Sequence, residues 1–186
     1  FAPLTDILPL VEVDATAAGE HVALIERQHR TIKERARSVL AELHYSYFPT
    51  QMIIHLIYHV VLWLNATTFK LGNYSAREFI TGRTLDINLH CQAPFGSYIE
   101  PSEDPSITNT MSWRTEPSIA LGSVGNISGT QKVLGLISGQ VRRRRNIANR
   151  VLPCPDSIIR MVNDLAIKNK LEKYGRKLQD RKSTRL

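Results

Sequence analysis

The chain has 186 residues, 42% hydrophobic and 22% charged. That is ordinary usage for a globular protein; it excludes a chain disordered throughout, and the length suits one domain or one and a half. The formal net charge of +7, with a sequence pI near 9.6, favours a partner rich in phosphate.

The charge is unevenly placed. Residues 1–20 carry four acids and no base, and residues 21–44 carry five bases against three acids. Residues 45–140 are almost neutral, with five bases against six acids, whereas residues 141–186 hold fourteen bases against four acids. A strongly basic C-terminal segment on a nearly neutral body is the pattern of a nucleic-acid-facing tail. Two cysteines, Cys91 and Cys154, are too few for a disulfide framework or a cysteine-based zinc ribbon, and fit a reducing compartment. No basic region leading into a long apolar run opens the chain, so no signal peptide is expected. The most apolar stretch, 52–64, is interrupted by His55 and His59 and is shorter than the roughly 20 residues of a membrane helix.

In chain order, 10–13 reads as a short strand. From 21 to 44, Ile25, Ile32, Ala36, Val39, Leu40 and Leu43 recur at helical intervals and define one face. At about 100° per residue, Glu26, Arg30, Lys33 and Arg37 fall within about 60° of each other, well away from the centre of that face, and form a polar rail. A second helix over 50–64 is apolar nearly all round, which predicts cover on every side. Residues 65–75 read as a loop. Beyond Arg83 glycines and prolines punctuate β-compatible runs: 97–100, 118–122 and 132–137 predict strands, with turns at Gly125-Asn126 and Ser138-Gly139. Short strands so spaced predict a small barrel or sandwich. After Pro155 the texture is helical again, with Asp156 or Ser157 as the expected cap.

The segment EHVALIERQHRTIKERAR (20–37) contains Glu26, Arg27, Arg30, Thr31 and Lys33 in the order ER-x-x-RT-x-K. YHVVLWLNA (58–66), SAREFITGRTLDINLHCQAPFGSY (75–98) and GSVGNISGTQKVLGLISGQVRRRR (122–145) follow it. Together, over about residues 20–165, these segments resemble the integrase region of Ty1/copia-type retrotransposon polyproteins. The correspondences are its last catalytic helix, a helix ending Trp-Leu-Asn, an S-P-R-E-x-x-T-G-R-x-L-D segment with a P-F-G-x-Y strand, and the glycine-rich run of its SH3-like module. The resemblance implies an α+β chain: the C-terminal helices of a truncated RNase H-like integrase core (1–70), a small SH3-like β module (71–150) and a basic helical or disordered tail (151–186).

It implies further that Glu26 is the third carboxylate of an Asp-Asp-Glu triad, catalytic and metal-ligating. The intact enzyme would use Mg²⁺ or Mn²⁺ for strand transfer of element ends into target DNA. Arg30, Lys33 and Arg37, and Arg142, Arg143, Arg144 and Arg145, would hold phosphates of DNA, or of RNA. The family's other two carboxylates lie well upstream of this Glu, and Asp6 and Asp14 are too close to serve. The chain alone is therefore expected to be inactive, with no cofactor of its own. Ala76, Ser123-Val124 and Val133 stand where the family has Pro, Pro-Thr and an aromatic, as in a degenerate copy. The expected setting is the nucleus or cytoplasm, with no membrane partner; the intact integrase could be oligomeric.

Read without the resemblance, Glu26 and Arg30 make a favourable i,i+4 ion pair on a solvated face. The chain would then be a non-catalytic basic nucleic-acid-binding module or a structural fragment; with the resemblance, the alternative to an integrase fragment is a non-functional retroelement relic. The run 142–145 fits polyanion contact or a solvated edge equally well. His55 and His59 have ligand-compatible spacing but no third ligand nearby, and read as the wetter stripe of a buried helix. Trp63 and Trp113 read as packing residues.

Overall fold

A computed structural model describes residues 22–67, 74–102, 111, 115–145, 147 and 151–169. The strand expected at 10–13, Asp6, Asp14, Trp113, the middle of the 65–75 loop and all residues after Asn169 lie outside the described residues.

The fold is mixed α+β. Helix α1 (Ala23–Glu42) opens without a side-chain cap at Val22 and stops where Leu43 turns extended. Ala36 is buried, and Ile32, Val39 and Leu40 are packed against the same core, as the helical spacing predicts. Ile25 departs from it: it is exposed, so the packed stripe begins one turn or more later than the sequence pattern. Helix α2 (Thr50–Ala66) follows Pro49, whose extended conformation starts it without a side-chain cap. Met52, Leu56 and Val60, each one turn apart, are buried. The expected cover on every side is absent from the described residues: Ile54, Ile57 and Tyr58, on the opposite face, are 42%, 39% and 60% exposed. Among the described residues, no helix is long and apolar enough to cross a membrane.

Two short helices escape the sequence pattern because neither is long enough to show a period. Helix α3 (Ala76–Thr81) is capped by Ser75, whose Oγ accepts from the Glu78 N–H at 3.1 Å, and stopped by Gly82 at φ 66°. Helix α4 (Ile87–His90) is capped by Asp86, whose carboxylate accepts from the Asn88 N–H at 2.9 Å.

The strands are β1 (Tyr98–Ile99), β2 (Ser118–Ser123), β3 (Gln131–Gly135) and β4 (Val141–Arg144), antiparallel neighbours in sequence order. Three occupy the expected runs; the fourth, which sequence reasoning took for a charge run following the hairpin, is the hairpin's second arm. Ile119 faces Leu134 and Ala120 faces Val133, after which a bulge shifts the register so that Gly122 faces Lys132. Alternation sends Tyr98, Ile119, Leu121 and Leu134 into one core with α1 and α2. Ile99, Ala120 and Val133 form a smaller core with Ala93 and Ile147.

Helix α5 (Asp156–Lys168) buries Ile158, Val162 and Ala166. Its N-cap is Pro155, not the expected Asp156 or Ser157, and no side chain caps it. Ile158 and Val162 join the main core, and Asn163 accepts from the Tyr47 N–H at 3.0 Å, which ties the helix to the α1–α2 connection. One apolar cluster thus draws on the segments 21–44, 45–140 and 141–186.

The tightest approach in this arrangement is at Gly122, which sits at φ +88°; a Cβ there would meet His59 Nδ1 at 2.3 Å. Gly122→Ala is expected to destabilise the fold by about 1–3 kcal/mol from backbone strain, with the clash added to it. In urea unfolding, the Gly122→Ala/His59→Ala pair should lose less than the sum of the single losses. Strict additivity would show that the ring does not limit the glycine.

Candidate nucleic-acid interface

Helix α1 carries its polar residues on the side away from the core because Ile32, Ala36 and Val39 commit the other side. Glu26, His29, Arg30, Lys33, Glu34 and Arg37 line one open depression along that outer face. The four residues singled out in the sequence here, Glu26, Arg30, Lys33 and Arg37, are therefore together and exposed. Glu26 lies in the first turn, where the helix dipole favours a carboxylate. Arg30 reaches forward: its Nε donates to Glu34 Oε1 at 2.9 Å, with the side chains 81% and 57% exposed. Such an exposed i,i+4 pair contributes only about 0.3–0.5 kcal/mol and yields readily to a phosphate.

The four arginines at 142–145 are not one patch. Strand β4 alternates them, so Arg142 and Arg144 oppose Val133 and Gln131 while Arg143 opposes Lys132 on the other face. Arg142 is committed to the fold. Its Nη1 lies 3.1 Å from Glu116 Oε2, and the other oxygen of that largely buried carboxylate accepts from the Ser138 N–H at 3.0 Å. Glu116 thus pins the β3–β4 turn, and Arg142 balances its charge. Arg145 follows the strand and is exposed.

The histidines also depart from expectation. His59 lies on the packed side of α2, not on a wet stripe: it packs against Phe95, with ring centroids 5.2 Å apart, and lies edge-on to Trp63, whereas His55 is half-buried beside the exposed Tyr58. Burial pulls the basicity of both below that of an ordinary histidine, and for His55 the nearby Lys132 ammonium adds to the effect. His90 is buried under the β2–β3 connection with Nδ1 2.7 Å from Ser123 Oγ, which also accepts from the Gly125 N–H at 2.9 Å. Burial lowers its basicity too, reinforced by Arg77 and opposed by Asp86. This Ser–His contact is closed off from solvent and joins α4 to the sheet; it is a structural tie. Cys91, beside it, is exposed, with its thiol pushed up by partial burial.

Sequence reasoning missed a cationic group built from three segments. Lys132 Nζ lies 5.2 Å from the centre of the Tyr58 ring on α2, and Arg143 faces Lys132 across the ladder. Only Arg143 had been singled out, as part of its run. No local pattern could have linked a tyrosine on α2 to a lysine on β3.

Compared with protein-family models, curated proteins and solved structures, the chain matches none of them.

With three histidines less basic in the folded state than in the unfolded chain, the unfolded chain binds more protons near pH 6. Their contribution to stability is complete above the ordinary histidine pKa and is lost as pH falls from about 6.5 through their folded values. Urea midpoints should therefore drop between pH 7.5 and 5, and His59→Gln should flatten that drop whatever it does to stability at pH 7.5. Equal slopes in the two proteins would refute the assignment to His59.

Proposed function

We propose that this chain is the C-terminal part of a copia-type retrotransposon integrase, with α1 and α2 as the last helices of its RNase H-like core and β1–β4 as its SH3-like module. The observation that carries this is the placement of Glu26. Its carboxylate is exposed in the first turn of α1, at the head of a face that also bears Arg30, Lys33 and Arg37, and it is not packed into a closed core. A carboxylate there can project towards a DNA end while the cations behind it neutralise successive phosphates. The uncovered stripe of Ile54, Ile57 and Tyr58 on α2 is also what a core lacking its main sheet would leave. The consecutive antiparallel meander β1–β4 is compatible with the small β module that the resemblance calls for.

In the intact integrase, the role would be metal-dependent DNA strand transfer. The described residues do not by themselves fit the metal. A divalent magnesium or manganese ion takes several hard oxygen ligands, and Glu26 offers one carboxylate flanked by three cations. Among the described residues, no three His, Cys, Asp or Glu side chains come together as a metal site. What these residues can do unaided is hold polyanions. Each phosphate neutralised by Arg30, Lys33 or Arg37 releases condensed counterions, giving affinity that is indifferent to base sequence and steeply dependent on salt. That misfit favours a second reading, a non-catalytic nucleic-acid-binding module, for the chain in isolation.

Duplex-DNA binding by the whole chain, titrated against salt, tests both. The Arg30→Ala/Lys33→Ala/Arg37→Ala variant should shallow the log–log salt slope by about 2 to 3. An unchanged slope would remove the α1 face from DNA binding. In a chain extended upstream with two further carboxylates, Glu26→Gln should abolish Mg²⁺-dependent strand transfer; undiminished transfer would take Glu26 out of the mechanism and leave the non-catalytic module.

A further inference from the structure

We propose that Lys132 and Arg143, on the face of the β3–β4 hairpin that looks towards α2, form a second phosphate-binding site that takes a backbone phosphodiester of the bound nucleic acid. The two side chains are direct cross-strand partners, a position at which like charges destabilise a sheet. Among the described residues no carboxylate pairs with either of them, whereas Arg142, on the opposite face, has Glu116. Beside Lys132 lies the Tyr58 ring, which holds its ammonium at 5.2 Å and is itself 60% exposed.

The field there is already felt by the neighbours. Lys132 is less basic than an ordinary lysine, chiefly through burial and then through Arg143, and His55 is less basic through burial and then through Lys132. Two facing cations with no carboxylate paired to them among the described residues favour an anion, and a tetrahedral phosphate can lie between an ammonium and a guanidinium, accepting from both. The site is an open surface, not an enclosed cavity, because Arg143 and Tyr58 both face solvent. A polymer passing over it is a better fit than a small anion that must be enclosed, and the chain's charge of +7 and the separate cationic rail on α1 supply further contacts for such a polymer. Tyr58 is a positioning residue that keeps Lys132 aimed outward.

The inference rests on the nucleic-acid-binding reading and adds a site to it. The test uses the whole chain, duplex DNA, and the Lys132→Gln/Arg143→Gln variant. The salt slope should fall by about 1 to 2, while the urea midpoint stays level or rises because a like-charge pair has been removed. Arg143→Lys should keep the native slope. If the double variant does not fold, Arg143→Gln alone, changed at an exposed position, should lower the slope by about 1. A native slope in these glutamine variants, with the α1 triple variant still weakened, overturns this site and leaves the wider reading standing. Absence of salt-sensitive DNA binding by the native chain overturns both. Inorganic phosphate at millimolar concentration that shifts the NMR resonances of Lys132 and Arg143, where duplex DNA leaves them unmoved, would make this a free-phosphate site and overturn the assignment to nucleic acid.

Discussion

Helix α2 lies on the sheet through one narrow stripe, and most of what the molecule can present to a partner depends on that contact. Met52, Leu56 and Val60 are buried against Ile119, Leu121 and Leu134, and each such side chain removed from water contributes about 1.5–3 kcal/mol. The approach is close enough that His59 fits only because position 122 has no Cβ. The bulge between Ala120 and Gly122 makes room there by displacing the strand locally, and it sets the register that brings Lys132 opposite Gly122 on one side and Arg143 on the other. A change in the helix–sheet contact would therefore move the cations as well as the core.

The charged groups sort by what the backbone around them does. On α1 the 3.6-residue repeat gathers Glu26, Arg30, Lys33 and Arg37 on one exposed face, held at fixed spacing by a rigid helix. On β4 the two-residue repeat does the reverse and divides a run of arginines between a structural ion pair and an outward cation. Four adjacent basic letters thus amount to less concentrated charge than they spell, and the three spaced ones on the helix, Arg30, Lys33 and Arg37, share one face.

The carboxylates divide in the same way. Glu116 is buried and answers for both a turn N–H and Arg142; Glu34 is exposed and holds Arg30 loosely. Glu26 sits where it costs little to expose a negative charge and where a cationic partner surface would be attractive to the same polyanion. An acid at the head of a basic face is an unhelpful feature for plain phosphate binding, since it repels the ligand.

The amino-acid sequence alone determined the elements whose signal is local. The amphipathic pattern of α1 placed that helix and its polar rail, and glycines around short apolar runs placed β1, β2 and β3, because in each case a few neighbouring side chains decide the backbone. Tertiary structure alone decided which side of α2 is covered, since a helix apolar all round carries no information about direction. It set His59 against Phe95, and recruited the first turns of the basic tail into the core through Ile158 and Val162. It also set Tyr58, Lys132 and Arg143 beside one another. These depend on pairing between segments far apart in the chain, where burial of apolar area selects one docking among many and the polar groups follow from it.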